Sequence, residues 1–192
     1  MIEVELRVKV PDMRALERKV KALGGKYAYA MKNVDDYYLS AADAAACTFG
    51  NGKNCAKPQG GVIRIRALTR GGSKKKTILL TVKTVKNGDL AVRRELQIDV
   101  SDAKETERIL EYFGCKKVLS LTKNRKIYNI GGTGILLDEI KELGNWMEVS
   151  IEGANVDAED SRAKLYALLE KLGFAAKDVV SKGYFNLAAE KL

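Results

Sequence analysis

The chain has 192 residues, 46% of them hydrophobic and 31% charged, with a formal charge of +9 from 34 basic and 25 acidic side chains. That balance belongs to a folded globular protein with a full core, and the positive excess suits an anionic partner such as nucleic acid, a membrane surface or a phosphorylated small molecule. The absence of histidine excludes His-based zinc sites, Ser-His-Asp triads and Cys-His pairs. Acid–base and metal chemistry is therefore left to carboxylates, lysines, tyrosines or bound water.

The opening segment alternates Ile2, Val4, Leu6, Val8 and Val10 with Glu3, Glu5, Arg7 and Lys9, which predicts a strand with one apolar and one wholly charged face. No apolar leader precedes it, and no apolar run approaches the roughly 20 residues of a membrane helix, so a cytoplasmic location is expected. Asp12 is placed to N-cap a helix carrying Met13, Leu16, Val20 and Leu23, and Gly24-Gly25 stops it. A strand over Asn33–Ser40 follows. The stretch Ala41–Gly61 reads as a long hairpin connection or loop insertion, and its Gly-Asn-Gly-Lys lacks the spacing of a phosphate-binding P-loop. Cys47 and Cys55 lie in it. With Cys115 they make an odd count, which speaks against a disulfide framework and leaves a Cys47–Cys55 bridge for a chain of hyperthermophilic origin.

Further strands are expected at Val62–Leu68, Thr77–Val85 and Ala91–Val100. Between them lie a basic loop, Ser73-Lys74-Lys75-Lys76 after Gly71-Gly72, read as solvated charge, and an Asn87-Gly88-Asp89 turn. Ser101 or Asp102 caps a second helix carrying Thr106, Ile109, Leu110 and Phe113, stopped by Gly114, with Lys116-Lys117 beyond it read as solvated charge. Strands at Thr122–Ile130, Gly134–Ile140 and Trp146–Glu152 and a helix from near Asp157 to Leu172, closed by Gly173, complete the series.

A shift of ninety positions aligns Glu5–Asp12 (ELRVKVPD) with Glu95–Asp102 (ELQIDVSD), Glu17-Arg18 with Glu107-Arg108, and Gly24 with Gly114. A weaker third copy starts at Glu148. Such a repeat implies a pseudo-symmetric α+β fold, and eight mostly antiparallel strands suit closure into a barrel.

Sorting the strands by face gives the same result on nearly every one. Glu3, Glu5, Arg7 and Lys9 share a face; Arg64 pairs with Arg66, Thr81 with Lys83, and Arg93 with Glu95 and Gln97; then come Lys123 and Arg125, Asp138, and finally Glu148, Ser150 and Glu152. On an open sheet this would be an ordinary solvated surface. If the sheet closes with apolar faces outward, a lumen holds eight bases (Arg7, Lys9, Arg64, Arg66, Lys83, Arg93, Lys123, Arg125) and six acids (Glu3, Glu5, Glu95, Asp138, Glu148, Glu152). Confined charge of that density is costly unless paired or solvated. A polyphosphate would satisfy the bases, and a hard divalent cation would reconcile it with the acids. Trp146 reads as core or rim packing, with covering a nucleobase as the sharper role, and Tyr37 and Tyr38 read as structural tyrosines, with a phenol offered to substrate as theirs.

These residues resemble the CYTH superfamily, the triphosphate tunnel metalloenzymes. EVELR is similar to the ExExK signature, with Arg7 where the family usually has Lys. DDYYL (Asp35–Leu39), RIR (Arg64–Arg66), LTVK (Leu80–Lys83), RRE (Arg93–Glu95), KNRKIY (Lys123–Tyr128), LLDEIKELGNWMEV (Leu136–Val149) and SKGYFNL (Ser181–Leu187) follow in family order. The resemblance implies an eight-stranded antiparallel β-barrel, the triphosphate tunnel, with helices packed outside and an internal pseudo-duplication, as one domain over residues 1–192. It implies phosphate binding by Arg7, Lys9, Arg64, Arg66, Lys83, Arg93, Lys123 and Arg125. Mg²⁺ or Mn²⁺ would be held by Glu3, Glu5, Asp138 and Glu148, with help from Glu95, and catalysis would centre on Glu3, Glu5, Arg7 and Lys83. Where the family often has Glu-Ile-Glu on the last tunnel strand, this chain has Glu148-Val149-Ser150, which puts the placement of a second metal in question.

The expected activity is that of a class IV adenylyl cyclase, ATP to cyclic AMP and pyrophosphate, on the likeness of the chain's size and EVEL start to that branch. The alternative is a triphosphatase acting on inorganic triphosphate, thiamine triphosphate or a nucleotide. A further alternative is a non-catalytic polyphosphate- or RNA-binding module, against which the bases interleave with acids instead of forming a basic surface with stacking aromatics. The expected partner is thus a triphosphate small molecule, with no membrane and no nucleic acid, and a homodimer is left open.

Overall fold

Side-chain alternation carries eight segments into strands. The structure, a computed structural model, describes residues 2–46, 61–71, 73, 75–86 and 89–191, without the side chains of residues 46, 83–86 and 89–94. The elements run β1 (Ile2–Lys9), α1 (Met13–Ala22), β2 (Lys26–Leu39), α2 (Ala41–Ala46), β3 (Val62–Arg70), β4 (Lys76–Lys86), β5 (Asp89–Val100) and α3 (Ala103–Tyr112), then β6 (Lys116–Ile130), β7 (Thr133–Ile140), β8 (Gly144–Gly153), α4 (Ala158–Leu172), a 3-10 turn (Ala176–Asp178) and α5 (Tyr184–Ala189). The strands are antiparallel and close as a barrel in the order β1-β5-β4-β3-β2-β6-β7-β8. No described helix is long and apolar enough to cross a membrane.

The expected eight-stranded barrel with outer helices is therefore present. β2 and β6 begin well before the expected Asn33 and Thr122, because each glycine stop releases the chain directly into a strand and the two strands then pair along 13 positions. The segment expected as a loop at 41–61 opens with the short helix α2. Gly50-Asn51-Gly52-Lys53, Cys47 and Cys55 lie outside the described residues, as do Gly72, Lys74, Asn87 and Gly88.

The ninety-residue repeat is a structural pseudo-twofold. Its two strand junctions are β1 with β5 and β2 with β6, and at each one a residue stands opposite its own repeat equivalent, Glu3 opposite Arg93 and Asn33 opposite Lys123. The helices obey the same relation. Tyr128 donates to Glu17 at 2.7 Å, and its equivalent Tyr38 donates to Glu107, the equivalent of Glu17, at 2.9 Å. The Asp12 carboxylate accepts the Ala15 N–H, and the Asp102 carboxylate accepts those of Lys104 and Glu105. Both helices then stop at a left-handed glycine, Gly24 (φ 84°) or Gly114 (φ 77°).

The two ends of β1 close differently. Only Ile2–Val4 pair with β5; farther along, Val8 bridges Val179, and the Val180 N–H donates to the Arg7 carbonyl. One core packs the outer face of β1, β6, β7 and β8 under α1 and α4, with Val4, Leu6, Val8, Val149, Leu165 and Leu169 buried. Each such side chain contributes about 1.5–3 kcal/mol. A second core joins Tyr37, Leu119, Leu121 and Trp146 to Tyr184 and Phe185 of α5, across one end of the barrel.

The Glu17 latch has a measurable acid signature. Hydrogen bonds from Lys126 and then Tyr128 hold this carboxyl down at about 2. A carboxyl lowered on folding stabilises the fold above its ordinary pKa and loses that contribution as pH falls toward the folded value. Glu17→Gln should lower the denaturant midpoint at neutral pH, and the gap from wild type should close between about pH 4.5 and pH 2 in urea titrations.

Candidate active site

Antiparallel register carries one face of the sheet around the whole ring. Arg66 stands opposite Asp35, Arg64 opposite Tyr37, Asn33 opposite Lys123, Arg125 opposite Asp138, Leu136 opposite Glu148, and Glu148 opposite Arg7. These positions enclose a cavity of about 880 Å³ lined by Glu3, Glu5, Arg7, Arg64, Arg66, Glu95, Lys123, Arg125, Glu148 and Glu152. The charged faces are thus internal.

Strand order sorts the charges into two walls. β2 lies four places from β1 in the ring, so β3, β2 and β6, bearing Arg64, Arg66, Lys123 and Arg125, face the wall of β8 and β1, bearing Glu3, Glu5, Glu148 and Glu152. Each wall also holds one counter-ion of the opposite sign. On the basic wall Asp35 accepts two hydrogen bonds from Arg66, at 2.6 and 2.8 Å, and lies 3.3 Å from Lys123 Nζ. On the acidic wall Arg7 bridges Glu5 at 2.5 Å and Glu148 at 2.9 Å and donates to the Lys182 carbonyl. Burial penalises the charge of Asp35, but Arg66 and Lys123 outweigh it and hold the carboxyl well below the usual range. Burial likewise works against Arg7, and Glu5 and Glu148 outweigh it, so the guanidinium stays charged.

Lys123 is the exception on the basic wall. It is buried, and Arg125 and Arg66 add repulsion that Asp35 and Asp138 do not cancel, so its ammonium is held down at about 7. Tyr184 sits between the walls. Its ring lies 5.0 Å from the Arg7 guanidinium and 5.3 Å from Lys123 Nζ, and its hydroxyl donates to Asp138 at 3.0 Å. Burial raises the Tyr184 pKa, and Asp138 and Glu148 raise it further, which keeps the hydroxyl protonated as a donor.

Glu3, Glu5 and Glu148 each offer a carboxylate oxygen, and these oxygens lie within 4.8 Å of one another. Three converging hard oxygen donors on one wall fit a hard divalent cation. The opposite wall fits a polyanion, because four cationic side chains line it and the buried Nε of Arg64 has no hydrogen-bond partner among the described residues, nor has the buried amide nitrogen of Asn33 on the same face of the sheet. Buried donors of that kind call for an acceptor. Beyond the charges, Tyr29, Met31, Leu68, Leu79, Ile127 and Leu136 form an apolar collar on the same cavity.

Two expected positions fall elsewhere. Lys9 ends β1 exposed and outside the cavity lining, since the shared strand face continues past the closed end of the lumen. Asp138, expected among the metal ligands, is not in the glutamate group. It is fully buried, with both oxygens bound by Arg125 at 2.6 Å, because the register sets the two residues directly opposite. Lys83 stands opposite Val62 and Glu95, and Arg93 opposite Glu3, but their side chains lie outside the described residues. Glu95 accepts from Arg64 at 3.3 Å. Trp146 is buried outside the cavity lining, donating to the Leu143 carbonyl, and Tyr37 lines the cavity while Tyr38 faces α3.

Asp35, Asn33 and Tyr184 were not among the expected site residues. Carrying the β2 alternation back through Met31 and Tyr29 places Asp35 and Asn33 on the inner face. Tyr184 has no such signal, because it reaches the lumen from a helix at the far end of the chain.

The sequence matches the CYTH domain family over residues 1–184. A Methanocaldococcus jannaschii protein provisionally named an adenylate cyclase is 23% identical over 189 residues, covering 97% of this chain and 98% of its own. The solved structure of the Pyrococcus horikoshii protein PH1819 superposes with a TM-score of 0.79 at 24% identity, over 99% of each chain. That of Hippeastrum HpAC1, provisionally an adenylyl cyclase and described as revealing a dominant triphosphatase activity, gives 0.62 at 15% identity, over 99% of this chain and 95% of that one.

Proposed function

Since the chain belongs to the CYTH domain family, we propose that it is a metal-dependent enzyme acting on a triphosphate-containing substrate held in the lumen, converting ATP to cyclic AMP and pyrophosphate. The observation that carries this reading is the pair of facing walls, four bases against three convergent glutamates in one cavity. Arg64, Arg66, Lys123 and Arg125 bind the phosphate oxygens, and Glu3, Glu5 and Glu148 hold Mg²⁺ or Mn²⁺. When bound, the cation neutralises phosphate charge and polarises a phosphoryl oxygen.

The remaining work belongs to side chains of the barrel. The guanidinium groups of Arg64, Arg66 and Arg125 are aimed and fixed before substrate arrives, Arg66 by Asp35 and Arg125 by Asp138, so they stabilise developing charge on the leaving pyrophosphate without reorganising. Arg7 keeps Glu5 and Glu148 together on the acidic wall. Lys123, held at about 7 in the free lumen, gains its proton as the phosphates approach and then adds a positive charge against their oxygens while the ribose 3′-oxygen attacks the α-phosphorus. The apolar collar favours a triphosphate with an organic group attached over inorganic triphosphate. The lumen bases face acids across the interior of the barrel, an arrangement that suits a small triphosphate with a metal ion better than a polynucleotide.

The triphosphatase reading draws on the Hippeastrum neighbour and uses the same walls, with water as the attacking group. Incubating the protein with Mg²⁺ or Mn²⁺ and ATP, tripolyphosphate or thiamine triphosphate separates the two. Cyclic AMP with pyrophosphate is the expected product from ATP. Orthophosphate without cyclic AMP would replace the cyclase reading by the triphosphatase one, and no turnover of any of the three would remove both.

Lys123 also predicts a proton linkage. Its free-state pKa of about 7 should rise when phosphates approach, so binding above that pH takes up a proton. Calorimetry of tripolyphosphate binding near pH 8, with divalent metal chelated and in two buffers of different ionisation enthalpy, should show greater uptake for wild type than for Lys123→Met. The ligand's own titration is common to both and cancels. Equal uptake by the two proteins would mean that Lys123 does not change its charge when the phosphates bind.

A further inference from the structure

The two halves of the pseudo-twofold differ in one respect that bears on the outside of the protein. In the half containing β1, helix α4 lies over β1, β8 and α1, and Leu6 and Val8 beneath it are 4% and 0% exposed. In the other half the chain turns from β4 directly into β5 with no intervening helix. The repeat equivalents of Leu6 and Val8 are Leu96 and Ile98, and they are 58% and 59% exposed.

The neighbouring helix repeats the contrast. On α1, Lys19 faces α4 and donates from Nζ to the Leu172 carbonyl at 3.1 Å. The ninety-residue shift maps Lys19 and Ala22 onto Ile109 and Tyr112, so the polar and the small position of α1 are large and apolar on α3, and Leu23 maps onto the still larger Phe113. Ile109, Tyr112 and Phe113 are 57%, 87% and 76% exposed, and Tyr112 and Phe113 stack edge to face at 5.6 Å. The edge of β5 is also bare: on its β1 side it pairs only over Val92–Arg94, leaving the backbone beyond without a strand partner among the described residues. The equivalent edge of β1 meets Val179 and Val180.

We propose that this face is covered by a second copy of the chain, packed about a twofold axis so that α3 of each copy lies on the bare β5 shelf of the other, in the place α4 takes beside α1. Area supports this occupant. The exposed parts of Leu96, Ile98, Ile109, Tyr112 and Phe113 amount to roughly 600 Å² if a large side chain presents about 200 Å². That reaches the upper end of what a monomer leaves bare and supplies most of the roughly 800 Å² per partner of a standard interface.

Charge supports it as well. On a chain of net charge +9, the rim of this face is balanced, with exposed Glu105 and Arg108 joined at 2.8 Å and Glu111 and Lys116 nearby. A balanced rim is self-complementary under a twofold, whereas an acidic partner would be drawn to the basic excess elsewhere. Apolar protrusion on α3 and apolar shelf on β5 belong to the same surface, as an isologous contact requires. The inference does not depend on what the lumen binds.

The test is the mass in solution. Sedimentation equilibrium at micromolar concentration should give twice the 21.1 kDa chain mass. The double variant Ile109→Lys/Tyr112→Ala carries the residues that α1 itself uses and should keep the wild-type circular dichroism. Its dimer dissociation constant should rise by at least about 30-fold, the scale of losing hot-spot side chains. The shelf variant Leu96→Thr/Ile98→Thr should weaken the dimer without touching α3. Hydrogen exchange of the wild type should show residues 95–98 and 105–113 losing protection on dilution, which tests the face even if a variant misfolds. A wild-type monomer throughout the range, a dimer indifferent to both variants, or concentration-independent exchange at this face would each overturn the proposal.

Discussion

Replacing Glu5 with glutamine should lower metal-dependent turnover of ATP or tripolyphosphate by about 10²–10³-fold, the range found when one group that stabilises developing charge is removed. The substitution keeps the shape of the side chain and removes one of three carboxylates whose oxygens converge within 4.8 Å. A hard cation loses both a ligand and a negative charge, so the concentration of Mg²⁺ needed for half-maximal rate should rise along with the fall in kcat. The fold should survive, because Arg7 keeps its bond to Glu148 and its bond to the Lys182 carbonyl. Metal titrations of the rate for Glu5→Gln beside wild type measure both effects. Unchanged metal dependence would place the cation away from Glu5.

The second large effect concerns stability. Arg125→Met should destabilise the fold by about 3–5 kcal/mol, because it strands Asp138 as a fully buried carboxylate. Two short charge-assisted bonds hold that carboxylate now; the Tyr184 hydroxyl is a neutral donor, and Lys123, which also faces Asp35, offsets the charge only in part. For a chain of this length the loss corresponds to a fall in Tm of about 10 °C. Adding Asp138→Leu should restore most of the stability, since exchanging a buried pair for apolar side chains is often neutral. Both variants should lose phosphate affinity, because both lack the Arg125 guanidinium. Thermal melts of the single and double variants decide between two roles for Asp138. If it served mainly as a metal ligand, Asp138→Asn would weaken metal binding and leave Tm nearly unchanged.

Much of the lumen was legible from alternation, because which face a strand residue takes is a local property. Glu5, Arg66 and Glu148 could each be assigned to the charged face of their strands by parity; the number of strands suited a barrel, and closure itself was implied by the family resemblance. What parity does not contain is strand order. The opposition of a basic wall on β3, β2 and β6 to an acidic wall on β1 and β8 appears only once β2 is known to lie across the ring from β1.

Partners were hidden for the same reason. Asp138 shares a face with the lumen residues, yet the residue opposite it is Arg125, which binds both of its oxygens, and parity alone does not contain that pairing. Lys9 shows how far parity reaches: it continues the alternation of Glu3, Glu5 and Arg7 but lies beyond the end of the cavity. Tyr184 arrives from a six-residue helix at the far end of the chain, where strand periodicity says nothing.

The facing walls also explain why both signs occur so densely within a single strand. β1 carries Glu5 and Glu148's partner Arg7 on adjacent inner positions, so the acidic wall is held together before any ligand arrives. Asp35 does the converse on the basic wall, aligning Arg66 through two bonds and moderating Lys123. Removing either counter-ion should therefore disturb the opposite charges more than it disturbs the surrounding packing.

Whether the lumen joins a metal to a triphosphate is decided most directly by a crystal structure with Mn²⁺ and a non-hydrolysable ATP analogue, read through the anomalous signal of the metal. The expected result is a peak among Glu3, Glu5 and Glu148, with the phosphates against Arg64, Arg66, Lys123 and Arg125. A metal peak outside the barrel, or an analogue bound on the outer surface with the lumen unchanged, would refute a site built on facing walls.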